Sequence, residues 1–407
     1  MRRSLASHVE QRTSLALANM RGIVILIVLA FHAMLAYLRW LPATGSGFDS
    51  PPYDWRAFPV IDGYRFLGFD IFCAWQDVYL MSLMFLLSGL FVWPSLVRKA
   101  DWGFLRDRVV RLGVPFLFGV AVIIPIAIYP AFRLGAADAS FAAYLNALFS
   151  LPFVPNGPLW FIWQLLALNF IAVAVHRFAP QALPALGRWS AAADKQPVRY
   201  FGGLLTVSAI AYVPLAVAFT PWAWSNSGPL ALQFCRPLQY AVYFFAGVGI
   251  GAAGIERGLI ASGGILAKRW SYAVAIALVT LLLWMGLTGL SMNGGSRAVA
   301  VAADISFVPA CAAGCFCLIA LCLRFATFQS RTLGYLSANA YGLYLVHYVF
   351  IVWTQFALLG LPLFAVIKAP AVFLVTLGLS LLTAATAQRI PLGARLIGVA
   401  PRAVVTS

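Results

Sequence analysis

Charge is scarce in this sequence, and negative charge scarcer still. Only 10% of the 407 residues are charged, with 12 Asp and Glu against 28 Lys and Arg, whereas soluble globular chains carry about 25%. With 62% hydrophobic residues, so few charges cannot cover a folded chain with hydrated surface, and a soluble globular domain is excluded. Histidine occurs only four times and cysteine six. Cys311, Cys315, Cys317 and Cys322 cluster with no His beside them, which favours small-residue helix packing over a metal site. Cys73 and Cys235 lie toward one face, and spacing alone does not decide whether they pair. No repeat of fixed period and no soluble domain of useful size is visible.

What is present is a series of long apolar runs. Stretches near the ~20 residues that cross a bilayer fall at Leu15–Tyr37, Phe69–Val97, Val114–Phe132, Leu159–His176, Phe201–Phe219, Leu238–Ile255, Trp270–Leu290, Val299–Leu323, Leu333–Leu359 and Leu363–Gln388. The third and fifth are interrupted by Pro125, Pro130 and Pro214. The expectation is an all-α integral membrane protein of about ten transmembrane helices. The first run ends at Arg39-Trp40 without a small-residue cleavage pattern, so it reads as an anchor that stays.

The net charge of +16 does not point to nucleic acid, because the basic residues are dispersed among short loops. With the N-terminus inside, only Arg39, Arg56, Arg65, Arg133, Arg236, Arg297 and Lys368 of the 28 basic residues fall outside. The positive-inside rule then puts both termini in the cytoplasm and requires an even span count.

The residues that break the apolar pattern are the candidates for chemistry. Arg21 and His32 share the first run; at roughly 100° per residue their spacing is about 20° beyond three full turns, so they lie on one helix face about 16 Å apart. Ionisable groups inside a membrane mark functional paths by default. In the second run Asp77 and Ser88 interrupt an apolar stretch, and Asp77 needs a cavity or a partner such as His32, His347 or an arginine. Asp304 in the eighth run poses the same question. Before Pro115, Arg108 and Arg111 share a face with Arg106 to one side, a fork for phosphates or a contact for anionic lipid. Trp160, at the start of the fourth run, belongs to an aromatic belt or a stacking surface. Ser337, Tyr341, Tyr344 and Tyr348 form a polar stripe with His347 beside it, suited to lining a pocket or joining helices. The loop from Arg39 to Gly68 mixes Asp49, Asp54, Asp62 and Asp70 with Tyr53 and Trp55, a pattern shared by sugar-facing surfaces and ordinary solvated loops.

Taken in order, Arg21 and His32 with ten residues between them, Phe85-Leu86-Leu87-Ser88-Gly89-Leu90, Arg108-Val109-Val110-Arg111-Leu112-Gly113-Val114-Pro115, Pro158-Leu159-Trp160-Phe161 and Ala340-Tyr341-Gly342-Leu343-Tyr344-Leu345-Val346-His347 resemble the acyltransferase 3 family of membrane O-acyltransferases. The Arg-Leu-Gly-Val-Pro turn, Phe244-Phe245-Ala246-Gly247 and Arg389-Ile390-Pro391-Leu392 look most like the branch that succinylates periplasmic glucans. The resemblance implies one polytopic acyltransferase domain over residues 1–407, without a separate soluble domain, in the inner membrane of a bacterium. It implies acyl-CoA (succinyl-CoA or acetyl-CoA) as donor, no metal, a glycan hydroxyl as acceptor, membrane lipid as surroundings and no nucleic-acid partner; the oligomeric state stays open. In that scheme His32 is the general base, Arg21 steers the donor or stabilises oxyanion charge, and Arg106, Arg108 and Arg111 hold CoA phosphates. Asp77, Ser88, Trp160, Tyr344 and His347 face the acceptor. The alternative is a transporter or flippase for a lipid-linked sugar, which would not depend on acyl-CoA.

Overall fold

The computed structural model describes residues 2–398 apart from 43, 44, 46, 226, 227 and 257, so Arg257 and Arg402, both placed inside by the sequence, lie outside the described residues. All described regular elements are helices: α1 (Arg2–Met34), α2 (Leu67–Gly89), α3 (Val92–Gly135), α4 (Phe141–Ser150), α5 (Trp160–Phe178), α6 (Ala182–Ala191), α7 (Pro197–Phe219), α8 (Pro237–Ala253), α9 (Trp270–Met292), α10 (Arg297–Phe325), α11 (Arg331–Leu358) and α12 (Ala365–Ala387). Nine are long and apolar enough to cross a membrane, and counting α8 and Gly258–Lys268, bent by 92° to each other, as one span makes ten. The expected sixth run is thus a helix of 17 residues ending at Gly254, whose φ of 101° leaves the helical region.

The third crossing differs from expectation. Pro115 does not open it; α3 is a 44-residue helical run that passes through the prolines. Two π-helical turns, Val109–Gly113 and Gly119–Ile123, sit just ahead of Pro115 and Pro125. A wide turn leaves room for a ring that would otherwise strike the carbonyl four residues back, so the helix continues where an α-helical ladder would break. At about 1.5 Å per residue this run far exceeds a ~30 Å hydrocarbon layer, and the non-helical Ala100 (φ 54°, ψ 172°) kinks it within its charged stretch, between Lys99 and Asp101.

Helices α2 and α8 cross with backbones in contact. A Cβ on Gly89 would strike the Phe244 carbonyl, one on Gly247 the Leu86 carbonyl, and one on Gly251 the Leu90 carbonyl. Helices in lipid associate by such packing, because there is no water to drive them together. Gly247→Val is therefore expected to abolish the monodisperse peak in size-exclusion chromatography of detergent extracts. Gly286→Val, where nothing lies within 4 Å of an added Cβ, should leave that peak in place.

The first outer loop is internal structure more than sugar-facing surface. Asp62 is 2% exposed; its carboxylate meets the buried Lys368 ammonium of α12 at 2.7 Å and accepts the Tyr64 N–H at 2.8 Å. Asp70 accepts the Arg39 N–H through both oxygens, at 3.0 and 2.9 Å, and Trp55 stacks on Phe48 at 4.6 Å. A loop rich in backbone polar groups needs these partners to lie against a bundle.

Candidate active site

Helix α1 carries Arg21 and His32, and α11 carries Tyr344 and His347; their packing along each other brings the two histidines together. The imidazole centroids are 4.9 Å apart with planes at 67°. His32 Nδ1 lies 2.9 Å from the Val28 carbonyl and His347 Nδ1 lies 2.6 Å from the Tyr344 carbonyl. A carbonyl only accepts, so each Nδ1 carries the proton and each neutral ring keeps its lone pair on Nε2. His347 is fully buried and its Nε2 has no partner. Two basic nitrogens without a donor call for two hydroxyl donors, one at each Nε2, as neighbouring hydroxyls of a sugar supply.

The backbone beneath the pair is fixed by a residue the sequence reading overlooked. As α1 ends, its last carbonyls lose their helical partners. Gln355 Nε2 of α11 donates to the His32 carbonyl at 3.1 Å and the Ala33 carbonyl at 3.3 Å, while the Cys73 thiol reaches the Phe31 carbonyl at 3.8 Å. Gln355 is 3% exposed. A buried amide two turns beyond His347 on the same helix was the available signal.

The Tyr344 hydroxyl is committed within the protein and is not free for a glycan. It donates to the Pro158 carbonyl, as a buried phenol must find an acceptor, and so ties the turn before α5 to the histidine helix. Trp160 stacks on Tyr240 at 5.6 Å and meets Trp224 edge-on at 5.9 Å. From there an aromatic wall runs through Tyr240, Phe85, Phe161 and Tyr344 to His347, with successive centroids 4.8, 4.7, 5.8 and 5.7 Å apart. Trp160 thus stands at the far end of a wall whose near end is the histidine pair.

The remaining candidates lie apart. Asp77 pairs with Arg236, not with a histidine: Arg236 Nη2 donates to the Asp77 carboxylate at 2.8 Å and Nη1 to the Asp77 backbone carbonyl at 3.1 Å. Arg236 is 2% exposed and lies on Phe307 at 4.4 Å. The sequence reading counted it only as an outer charge; a lone arginine between Cys235 and Pro237 at the head of a span was the clue. Ser88 sits at the opposite end of α2, with its hydroxyl donating to the Met84 carbonyl at 2.8 Å, so it is not part of the histidine cluster. The free Cys73 and Cys235 point at different carbonyls, those of Phe31 and Pro221.

Toward the inner face, the exposed Arg21 guanidinium lies 4.3 Å over the Phe91 ring, just past Ser88. The fork expected of Arg108 and Arg111 is not closed. Arg111 is held by Asp107 at 2.9 Å, and Asp107 also meets Lys99 at 3.0 Å. Arg108 lies on Phe104 at 4.8 Å with Nε buried and unpartnered, and Arg106 is exposed. The π-helical turn that starts at Val109 spoils the α-helical three-residue spacing on which the fork depended.

Residues 15–385 match a family described as an acyltransferase domain. No curated protein and no solved structure matches the chain.

Proposed function

The chain belongs to the acyltransferase 3 family and is a multi-pass membrane acyltransferase, and from that premise we propose that it transfers a succinyl or acetyl group from cytoplasmic acyl-CoA to a hydroxyl of a periplasmic or cell-envelope glycan. The observation that carries this reading is the facing pair of imidazoles, His32 and His347, with Nε2 of the buried His347 unpartnered. The branch resemblance favours a periplasmic glucan, and the orientation follows the charge bias, with both termini cytoplasmic and the protein in a bacterial inner membrane.

His32 Nε2 accepts the proton of the acceptor hydroxyl as its oxygen bonds to the thioester carbonyl carbon. The oxyanion so formed collapses, the carbon–sulfur bond breaks, and the thiolate of CoA takes the proton back from His32. The buried Nε2 of His347, which can only accept, takes a second hydroxyl of the acceptor and so holds the ring with the reacting hydroxyl at His32. The donor enters from the inner face. There the exposed Arg21 and Arg106 and the orphaned Nε of Arg108 suit an anionic phosphate chain, since guanidinium groups bind phosphate in forked geometry. Arg111, already paired to Asp107, contributes after an exchange of partners. Asp77, Ser88, Trp160 and Tyr344 act here as supports: Trp160 and Tyr344 as parts of the aromatic wall, Asp77 through Arg236, and Ser88 at the inner end beside the donor path.

The test is mass spectrometry of envelope glycans from cells lacking the protein and from cells complemented with it. One acyl mass should vanish and return. Unchanged acylation of every envelope glycan, together with no acyl-CoA binding, sinks the reading in favour of a lipid-linked sugar transporter. Arg21→Gln is expected to weaken acyl-CoA binding about tenfold or more, the loss of one charge-assisted hydrogen bond at about 1.5–3 kcal/mol. Titration of the purified variant with labelled acyl-CoA checks it, and wild-type affinity would remove Arg21 from the donor site.

A further inference from the structure

A second polar site lies on the same side of the bundle as the histidine pair and is not lined by it. Helices α7, α9 and α10 enclose a cavity of about 170 Å³ where α7 leaves the membrane at Thr220 and the short link between α9 and α10 turns back. Its charged walls are Arg236, Asp304 and, at the rim, Arg297. Asp304 is 7% exposed, faces this cavity, and has no hydrogen-bond or ion-pair partner among the described residues. Arg236 is 2% exposed and its Nε is buried without a partner, although its Nη atoms hold Asp77. Leaving buried charged groups incompletely bonded is costly, so the two mark a place that a ligand completes.

The chemistry of the walls selects the ligand. The volume is well below the ~300–1,000 Å³ of pockets that enclose drug-sized molecules, so the occupant is one small unit and not an acyl-CoA. Arg236 is already neutralised by Asp77, and the charges left over, Asp304 and Arg297, are of opposite sign. The site therefore carries no net field to attract an anion. A carboxylate accepts hydrogen bonds from two hydroxyls at once. Trp222 and Trp284 line the cavity beside it and supply aromatic surface, while Tyr212 is stacked on Phe307 behind them. A carboxylate among aromatic faces matches a neutral pyranose ring, with hydroxyls on its edge and C–H groups on its face.

We propose that this cavity is a saccharide-binding subsite that holds a neutral sugar unit of the acceptor other than the one acylated. It rests on the acyltransferase reading only for identifying that saccharide with the acceptor. No imidazole lines the cavity, so the sugar held there is not the reacting one. It anchors the chain while another unit reaches His32.

The experiment is titration of the purified full-length protein in detergent with a neutral linear glucose oligosaccharide, read by tryptophan fluorescence and by calorimetry. A glucuronate oligosaccharide of equal length serves as the anionic comparison. The wild type should saturate with the neutral probe and bind the uronate more weakly. Asp304→Asn should weaken neutral binding by about ten- to a hundredfold, the loss of charge-assisted bonds. Trp222→Ala, at a rim residue 57% exposed whose loss leaves the core intact, should weaken it as well. No saturable binding by the wild type, undiminished binding in both variants, or uronate binding as tight as neutral binding overturns the proposal. Acyl transfer from acyl-CoA is measured on the same wild-type preparation. Transfer without saccharide binding to this cavity removes the subsite alone; saccharide binding lost in both variants, with no acyl-CoA-dependent transfer, removes the acyltransfer reading and leaves the subsite standing.

Discussion

Replacing His32 by alanine is expected to lower acyl transfer by about 10²–10⁴-fold while acyl-CoA binding stays near that of the wild type. The range is that of a positioned general base. The ring makes one hydrogen bond, to a carbonyl of its own helix, worth about 1 kcal/mol, and also packs edge-on against Phe31, His347 and Tyr348, so stability falls with it as well. Unchanged acyl-CoA binding marks the loss of rate as chemical. Reconstituted proteoliposomes given labelled acyl-CoA and glycan read the transfer, and equilibrium binding of acyl-CoA reads the donor site. Transfer at the wild-type rate would end the assignment of His32 as base. A parallel loss of donor binding would mean that the residue shapes the cavity. His347→Gln keeps a polar side chain beside His32 and should retain more activity than His32→Ala.

The second large effect concerns stability. Lys368→Met leaves Asp62, 2% exposed, without the ammonium that sits 2.7 Å away. A buried charge robbed of its partner costs about 3–5 kcal/mol, a large share of the ~5–15 kcal/mol that holds a typical domain together. The thermal midpoint of the purified variant should fall by many degrees. The outer loop, whose Asp62 N–H donates to the Ala36 carbonyl at 3.0 Å, should become the first segment cut by protease. The double variant Lys368→Met with Asp62→Leu removes both charges and should recover most of the loss, because an apolar pair avoids the desolvation penalty altogether. An unchanged midpoint in the single variant would show that the pair is hydrated in solution.

The two effects separate what a residue does at the reaction from what it does for the scaffold, and the sequence alone does not make that separation. His32 and Lys368 are both ionisable groups in apolar runs and look equally anomalous there. Lys368 is buried against a carboxylate from a loop 306 positions away, and nothing local announces the partner. Asp77 is the same case: its sequence context left histidine or arginine open, and only the approach of the segment before α8 to α2 decides for Arg236.

Most of the crossings, the charge bias between the two sides and the coincidence of Arg21 and His32 on one helix were determined by the sequence, because length, hydropathy and helical periodicity are properties of a single segment; the ends of the second and third crossings were not, since the second stops at Gly89 and the third begins at Val92. The glycines at 89 and 247 and the motif that ends at His347 could be read as a pattern, but their reason could not. A backbone contact between α2 and α8, or an imidazole 4.9 Å from another on a different helix, is a relation between segments far apart in the chain. The tertiary structure decided these, and with them the pairing of Arg111 with Asp107, the burial of Asp62 against Lys368, and the cavity that faces Asp304. Each depends on which polar group in a nearly uncharged chain reaches a partner once the helices pack, since a buried polar atom takes whichever partner packing presents.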